Sequence, residues 1–516
     1  MNTLLSKIEN EIKNSNFLEA ENLSWGLYQQ NKNDLIAIKT LALCLLLQNK
    51  YYGSIDFYTQ YYEKKPQDFN VVNNLAHLYL KIEEFEKSLL FCERATQIDE
   101  TSYLPYVTKL DLLLRRRDFS EGCLLAEELL KRITYDVLKE NQNIVYLILD
   151  MFLAAGKKDQ ALKYVNFFYK KEFNHDVFYF HSTFSPESMP ADLVSDVEKI
   201  LLKDDYDNAV IKGKRIAPLH FGLAKYYEKK RDLNKSDDNY IQGNNQIDAI
   251  LRYQPLSNQK LIKNIKKIFI ENNNLNYPGH DNENLIFIVG MPRSGTTLVE
   301  SIVASAKDTI SGGELRSIYE LFKSRYDEDD NDASDSKDPG EIYLNRIKFI
   351  KQNHKYFIDK LPGNFHNIGF IKKIFPKSKI IYLKRDPWDN AISLFKQFYV
   401  SNIPYTASFF NIGVIYANHE EIMRFWTDEM NYDFLTIEYE KLVQDTPKYA
   451  QLIYDYCGFN QKYDPEKRKS FFARTASKNQ VNKDVYTDSI GKKSFDHLKK
   501  DFIDSLSNQR GYWGLK

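Results

Sequence analysis

Apolar positions along the first 245 residues recur with a long period. Phe17, Tyr51, Phe85 and Phe119 stand 34 residues apart, and each is followed three residues later by a small residue: Ala20, Ser54, Ser88 and Gly122. Other columns share the step: Leu41 with Leu75, Ala42 with Ala76, Leu45 with Tyr79 and Leu113, and Leu27 with Tyr61, Ala95 and Leu129. Such a period predicts helical hairpins stacked into a solenoid, with the small residues where two backbones approach too closely for a larger side chain. The register slips by five at Ala161, 39 residues after Gly122, and a further unit from His220 sets Ala224, Tyr227 and Ser236 at the corresponding offsets. The stretch from about 172 to 215 lacks the register and reads as irregular.

Beyond residue 245 the pattern changes. Residues 246–283 read as a connector, with Leu261, Ile265 and Ile268 at helical spacing and then a polar loop carrying Pro278 and Gly279. From residue 284, short apolar runs (Leu285 to Val289, KYFI before Lys360, KIIYL, FLTI) alternate with helical ones (IGFIKKIF, NAISLFKQF, AQLIYDYCGF). That alternation predicts a parallel sheet covered by helices on both faces, with ligands bound at the C-terminal ends of the strands. The expected fold is therefore α + α/β: a helical repeat solenoid over 1–245, a connector over 246–283 and an α/β domain over 284–516.

The 34-residue step is that of the tetratricopeptide repeat. Its aromatics, among them Tyr51, Tyr52, Tyr61, Tyr62 and Tyr103, read mainly as packing rather than as a ligand box. Solenoids bind partners on their concave face, and no feature here names the partner. Lys plus Arg (71) balances Asp plus Glu (71), so no global field argues for nucleic acid or a membrane. The polar N-terminus lacks the apolar core of a signal peptide and no run of about 18 apolar residues occurs, which predicts a soluble cytoplasmic protein. Cys44, Cys92, Cys123 and Cys457 are scattered without C-x-x-C pairing, as reduced core thiols would be.

The chemistry concentrates in LIFIVGMPRSGTTLVE, residues 285–300. Gly290 and Gly295 are spaced as in a nucleotide-binding P-loop, where backbone amides and a helix N-terminus cradle phosphate. The Lys-Ser/Thr pair that reaches a γ-phosphate and holds magnesium is absent: Thr296 and Thr297 follow Gly295, and the cation is Arg293 within the loop. The loop suits a nucleotide anion handled without a metal.

That loop resembles the 5′-phosphosulfate loop of sulfotransferases, which use 3′-phosphoadenosine 5′-phosphosulfate (PAPS) and release the 3′,5′-bisphosphate PAP. Further motifs follow in that family's order: GEL at Glu314, DKLP at Lys360, RDPxDNxxS at Arg385 and Ser393, YExLV at Tyr439, and SxxQV at Ser477 and Gln480. Together with the repeats, the chain resembles tetratricopeptide-linked bacterial sulfotransferases, which are related to the tyrosylprotein enzymes. The resemblance implies that Arg293, Ser294, Gly295, Thr296 and Thr297 hold the 5′-phosphosulfate. It implies that Arg385 and Ser393 grip the 3′-phosphate, and that Tyr439, Ser477, Gln480 and Lys492 complete the nucleotide site. Lys493 stands where the family has tryptophan, which leaves the adenine cover open. Lys360 replaces the histidine base of the small-molecule enzymes; a charged lysine suits electrostatic stabilisation of the leaving oxygen, alongside Arg293. Glu314 then becomes the general base and Arg316 an acceptor-binding residue, whereas Glu320 stands where the tyrosylprotein enzymes carry a further arginine.

Two alternatives stay open at these positions: Arg385 pairing with Asp386 or Asp389, and Glu314 acting only as a helix N-terminal charge. The acidic stretch 327–338 lacks the glycine and the glutamate of a calcium loop and reads as solvated, and His354, His366, His419 and His497 show no metal spacing. The expected activity is sulfuryl transfer to a hydroxyl acceptor, whether peptide tyrosine, glycan or small molecule, recruited by the repeats and with no metal. A repeat scaffold with an inactive nucleotide-binding domain, or a P-loop kinase, are the competing readings, and a homodimer is left open.

Overall fold

The computed structural model describes residues 2–202, 209–271, 279–326, 338–399, 403–469, 490–491 and 494–515. Two compact units emerge: Met1–Ala155 with Asn345–Phe349, and Gly156–Leu344 with Ile350–Lys516.

In the first unit the 34-residue columns become helical hairpins, among them Leu35–Leu47 with Tyr51–Lys64 and Phe69–Lys81 with Phe85–Ile98. The small-residue column lies at the contact: Ala20, Ser54 and Ser88 are each 0% exposed, and a Cβ on Gly122 would meet Met151 Cε at 2.3 Å. Two members also make the same bond. Ser54 Oγ donates to the Ala42 carbonyl at 2.8 Å and Ser88 Oγ to the Ala76 carbonyl at 2.7 Å, so a polar side chain is buried without an unmet hydrogen bond.

The second unit repeats the device. Ser236 Oγ donates to the Ala224 carbonyl at 2.9 Å between helices Ala209–Lys230 and Leu233–Leu251. The stretch expected to be irregular is instead largely helical in its described part, with helices His175–Phe184 and Ala191–Leu202. Helix His175–Phe184 is apolar on several faces, burying Val177, Phe178, Phe180 and Phe184, and so shows no single 3.6-residue stripe.

The sheet follows. Its strands are β1 Leu285–Gly290, β2 Thr309–Ser311, β3 Tyr356–Asp359, β4 Lys379–Lys384 and β5 Leu435–Glu438, all parallel, in the order β2-β3-β1-β4-β5. Central β1 is buried along its whole length, as a continuous apolar run requires. Ile286 and Ile288 face helices Thr296–Ala304 and Thr446–Cys457 through Val299, Ile302, Ala450 and Ile453. On the opposite side Phe287 meets the rings of Tyr343 and Phe375 at 5.9 and 6.4 Å. The four cysteines are buried, and among the described residues no helix is long and apolar enough to cross a membrane.

Candidate functional site

Each strand delivers a chemical group at its C-terminal end. After β1 the chain turns through Met291 to Gly295. Gly290 has φ +150°, and a Cβ there would lie 2.6 Å from the Leu383 carbonyl oxygen, so only glycine lets the strand end pass β4 this closely. Arg293 (φ 68°) and Gly295 (φ 105°) occupy the left-handed region, and Ser294 N closes the turn on the Met291 carbonyl at 3.1 Å. Gly295 caps helix Thr296–Ala304, whose first-turn amides and positive dipole end face the loop. Ser294 Oγ is buried and has no hydrogen-bond partner among the described residues, an orphan hydroxyl that a phosphate oxygen would satisfy.

From β4, Arg385 reaches back to this loop. Its Nη1 donates to the Arg293 carbonyl at 2.7 Å, Asn390 Nδ2 donates to the Pro292 carbonyl at 3.1 Å, and Arg293 Nε donates to Ser393 Oγ at 3.2 Å. The expected group Arg293, Arg385 and Ser393 is therefore one cluster. Tyr439, first residue after β5, lies under the Arg385 guanidinium (4.6 Å to the ring centroid), and its ring edge fills the space beside Gly295. Burial holds the Arg385 pKa below the usual arginine value; Tyr439 opposes that and the Arg293 charge adds to it. Asp389 also faces Arg385 but has further work: its Oδ2 accepts from the Gly491 amide at 2.8 Å. Two guanidiniums crowded beside a helix N-terminus make a site that favours an anion.

The ends of β2 and β3 make a second cluster. Lys360 is completely buried, and its Nζ donates to Glu314 Oε1 at 2.5 Å and lies 3.5 Å from Glu300 Oε2. Burial pushes the Lys360 ammonium toward neutrality, but Glu300 and then Glu314 outweigh it and hold its pKa above the ordinary lysine value. Glu314 sits in a turn after β2 rather than in a helix, with a side chain 41% exposed. It stands three residues before helix Ser317–Tyr326. Arg316 points its guanidinium to Glu320 at 2.9 Å and is 62% exposed. Ser477, Gln480, Lys492 and Lys493 lie outside the described residues.

Three residues here were absent from the expected site. Glu300 belongs to helix Thr296–Ala304, and its signal is a lone carboxylate on an otherwise apolar helix. Tyr179, on helix His175–Phe184, packs its ring 5.1 Å from Phe398, and Tyr399 follows. Burial raises the pKa of both tyrosine hydroxyls, and the Arg293 charge opposes it at each. Each keeps partial solvent access. Nothing in the sequence pairs residue 179 with residue 293.

Residues 285–464 match the sulfotransferase family. The matched segment contains Arg293, Glu300, Glu314, Lys360, Arg385, Ser393 and Tyr439, while the helical repeats lie ahead of it. An uncharacterized protein of Aquifex aeolicus (strain VF5) is 27% identical over 297 residues, which are 53% of this chain and 39% of the relative's own length. Among solved structures, the sulfotransferase domain of the Synechococcus PCC 7002 olefin synthase aligns at 17% identity and TM-score 0.32, over 45% of this chain and 97% of that one. Sulfotransferase STF1 of Mycobacterium tuberculosis H37Rv aligns at 12% identity and TM-score 0.26, over 61% of this chain and 99% of that one. Among the described residues of the sulfotransferase-family segment and the rest of the chain, no group of three or more His, Cys, Asp or Glu could hold a metal ion.

Proposed function

We propose that this chain is a PAPS-dependent sulfotransferase of the tetratricopeptide-linked type, transferring sulfuryl to a hydroxyl acceptor with Glu314 as general base. The observation that carries the reading is the pairing of two clusters at the strand ends. An anion cradle built from Arg293, Ser294, Arg385 and Ser393 stands beside a carboxylate, Glu314, held on a buried ammonium. The residues fit the nucleotide: the Gly290-to-Thr297 turn and the orphan Ser294 hydroxyl suit the 5′-phosphosulfate, and the Arg385 fork with Ser393 suits the 3′-phosphate. When bound, PAPS supplies the sulfuryl group: the acceptor oxygen bonds to sulfur as its proton passes to Glu314, and the bridging S–O bond breaks with its electron pair leaving on the 5′-phosphate. In this reading Lys360 and Arg293 stabilise that developing negative charge. Arg316 is assigned to the acceptor side. The acceptor is a protein, glycan or small molecule met in the cytoplasm and recruited by the repeats.

Thermal unfolding with PAP, beside ADP and ATP with and without magnesium, tests the nucleotide. A ligand at a hundredfold its dissociation constant stabilises the folded state by about 2.7 kcal/mol, so the melting temperature should rise with PAP and the rise should vanish in Arg385→Ala. A preference for magnesium-ATP would favour a kinase. Binding of PAP without any turnover of PAPS would favour a scaffold with an inactive domain.

A further inference from the structure

The proposed reaction leaves one buried carboxylate without a part. Glu300 is 1% exposed; its Oε1 is hydrogen-bonded, whereas its buried Oε2 has no hydrogen-bond partner among the described residues and faces only a counter-charge. Oε1 accepts from Ser311 Oγ at 2.6 Å, and Ser311 Oγ in turn accepts from the Gly313 amide at 3.0 Å. Oε2 faces Lys360 Nζ at 3.5 Å, while the Lys360 amide donates to the Gly313 carbonyl at 2.9 Å. Glu300 thus ties the ends of β2 and β3 to the phosphate-loop helix.

Two carboxylates share the Lys360 ammonium but differ in freedom. Glu300 is locked in the interior, whereas Glu314 is 41% exposed and sits on a turn. A base that takes a proton becomes neutral. Were Glu314 the sole partner of Lys360, that proton would leave a completely buried ammonium without a counter-charge, which is strongly unfavourable.

We propose that Glu300 is a positioning residue, the permanent counter-ion of Lys360, which keeps the ammonium charged and in place when Glu314 is protonated. This rests on the sulfuryl-transfer reading for the identity of the base, but the Glu300–Lys360 pairing has its own readout. The charged groups facing Lys360 are Glu300 from the phosphate-loop helix and Glu314 from the turn after β2.

Glu300→Gln preserves shape and a bond to Ser311 while removing the charge. PAP affinity should stay within about twofold, because the Glu300 carboxylate is directed to Ser311 and Lys360. The basic limb of the kcat–pH profile should move down by about one unit as Lys360 loses the Glu300 charge, so that on this limb kcat falls by up to about tenfold relative to the wild type. Independently of turnover, the Lys360 side-chain 15N signal, assigned through Lys360→Met, should titrate at lower pH in Glu300→Gln. A lower kcat with an unmoved limb and an unmoved Lys360 titration would reduce Glu300 to a packing role and overturn the proposal. If Glu300→Gln does not fold, the double variant Glu300→Gln, Lys360→Met should fold again, since it buries no unpaired charge; equal instability of the double variant would also overturn it. Failure of the wild type to bind PAP or use PAPS sinks the sulfotransferase reading alone, because the Lys360 titration still decides the pairing.

Discussion

At the scale of single residues the site depends on a few backbone conformations and charges that neighbours cannot replace. Gly295 combines a left-handed φ of 105° with a Tyr439 ring carbon 2.4 Å from where a Cβ would stand. Gly295→Ala should therefore destabilise the fold by about 1–3 kcal/mol and cost PAP affinity as Tyr439 and the Arg385 above it are displaced. Paired melting curves with and without PAP separate the two effects. Glu314→Gln keeps the hydrogen-bonding shape but cannot take a proton, so turnover should fall by about 10²–10⁴ while the PAP-induced melting shift survives. Near wild-type turnover would remove Glu314 from the role of base.

At the scale of elements, the helices ahead of the sheet support the helix that carries Ser393. Asn244, on helix Leu233–Leu251, donates its amide to the Phe395 carbonyl at 2.8 Å in the interior, at the C-terminal end of helix Pro387–Phe395. Lys396 next to it pairs with Glu228 at 3.1 Å, and Phe398 meets the rings of Tyr179 and Phe221 at 5.1 and 5.3 Å. These contacts lie within one compact unit. Asn244→Leu leaves that carbonyl without its donor, and urea unfolding should show a loss of about 1–3 kcal/mol. A weaker PAP shift should accompany it, because the Ser393 helix loses its clamp. Unchanged stability would mean that the helical hairpin merely lies against the sheet domain.

For the whole molecule, buried neutral histidines set the acid side of stability. Burial pushes His419 down to about 3, with the neighbouring His366 and Lys384 charges adding to it, and pushes His366 and His181 down to about 4. His77 is likewise lowered to about 4 by burial and Lys81. In the unfolded chain each titrates near its ordinary value of about 6.5. Below that pH the unfolded state binds protons that the folded state refuses, so stability is full above about 6.5 and falls as the pH drops toward 4. The slope is at most about 1.4 kcal/mol per pH unit for each histidine. His419→Phe should flatten the acid slope of melting temperature against pH without moving the plateau near neutrality by a comparable amount. An unaltered slope would place the acid sensitivity elsewhere.

What the sequence alone determined was whatever short-range order encodes. The 34-residue columns place small residues at helix contacts because every hairpin must solve the same packing problem, and Ser54, Ser88 and Ser236 meet the same carbonyl bond as a result. The apolar runs of β1, β3 and β4 and the groups at their ends were legible because a buried parallel strand must be apolar and its ligand groups must follow it, while the edge strand β5, only partly buried, showed itself by the short run FLTI. Strand β2, three residues long, carries too little pattern to be seen, and helix His175–Phe184 was missed because burial on several faces erases its periodicity. Only tertiary structure decided that Glu300 shares Lys360 with Glu314, that Tyr439 fills the space at Gly295 under Arg385, and that Tyr179 packs against Phe398. Those pairings join residues far apart in the chain. Hydrophobic pattern records which residues are buried, not which buried charges meet, and it is the meeting of charges that sets the chemistry of this site.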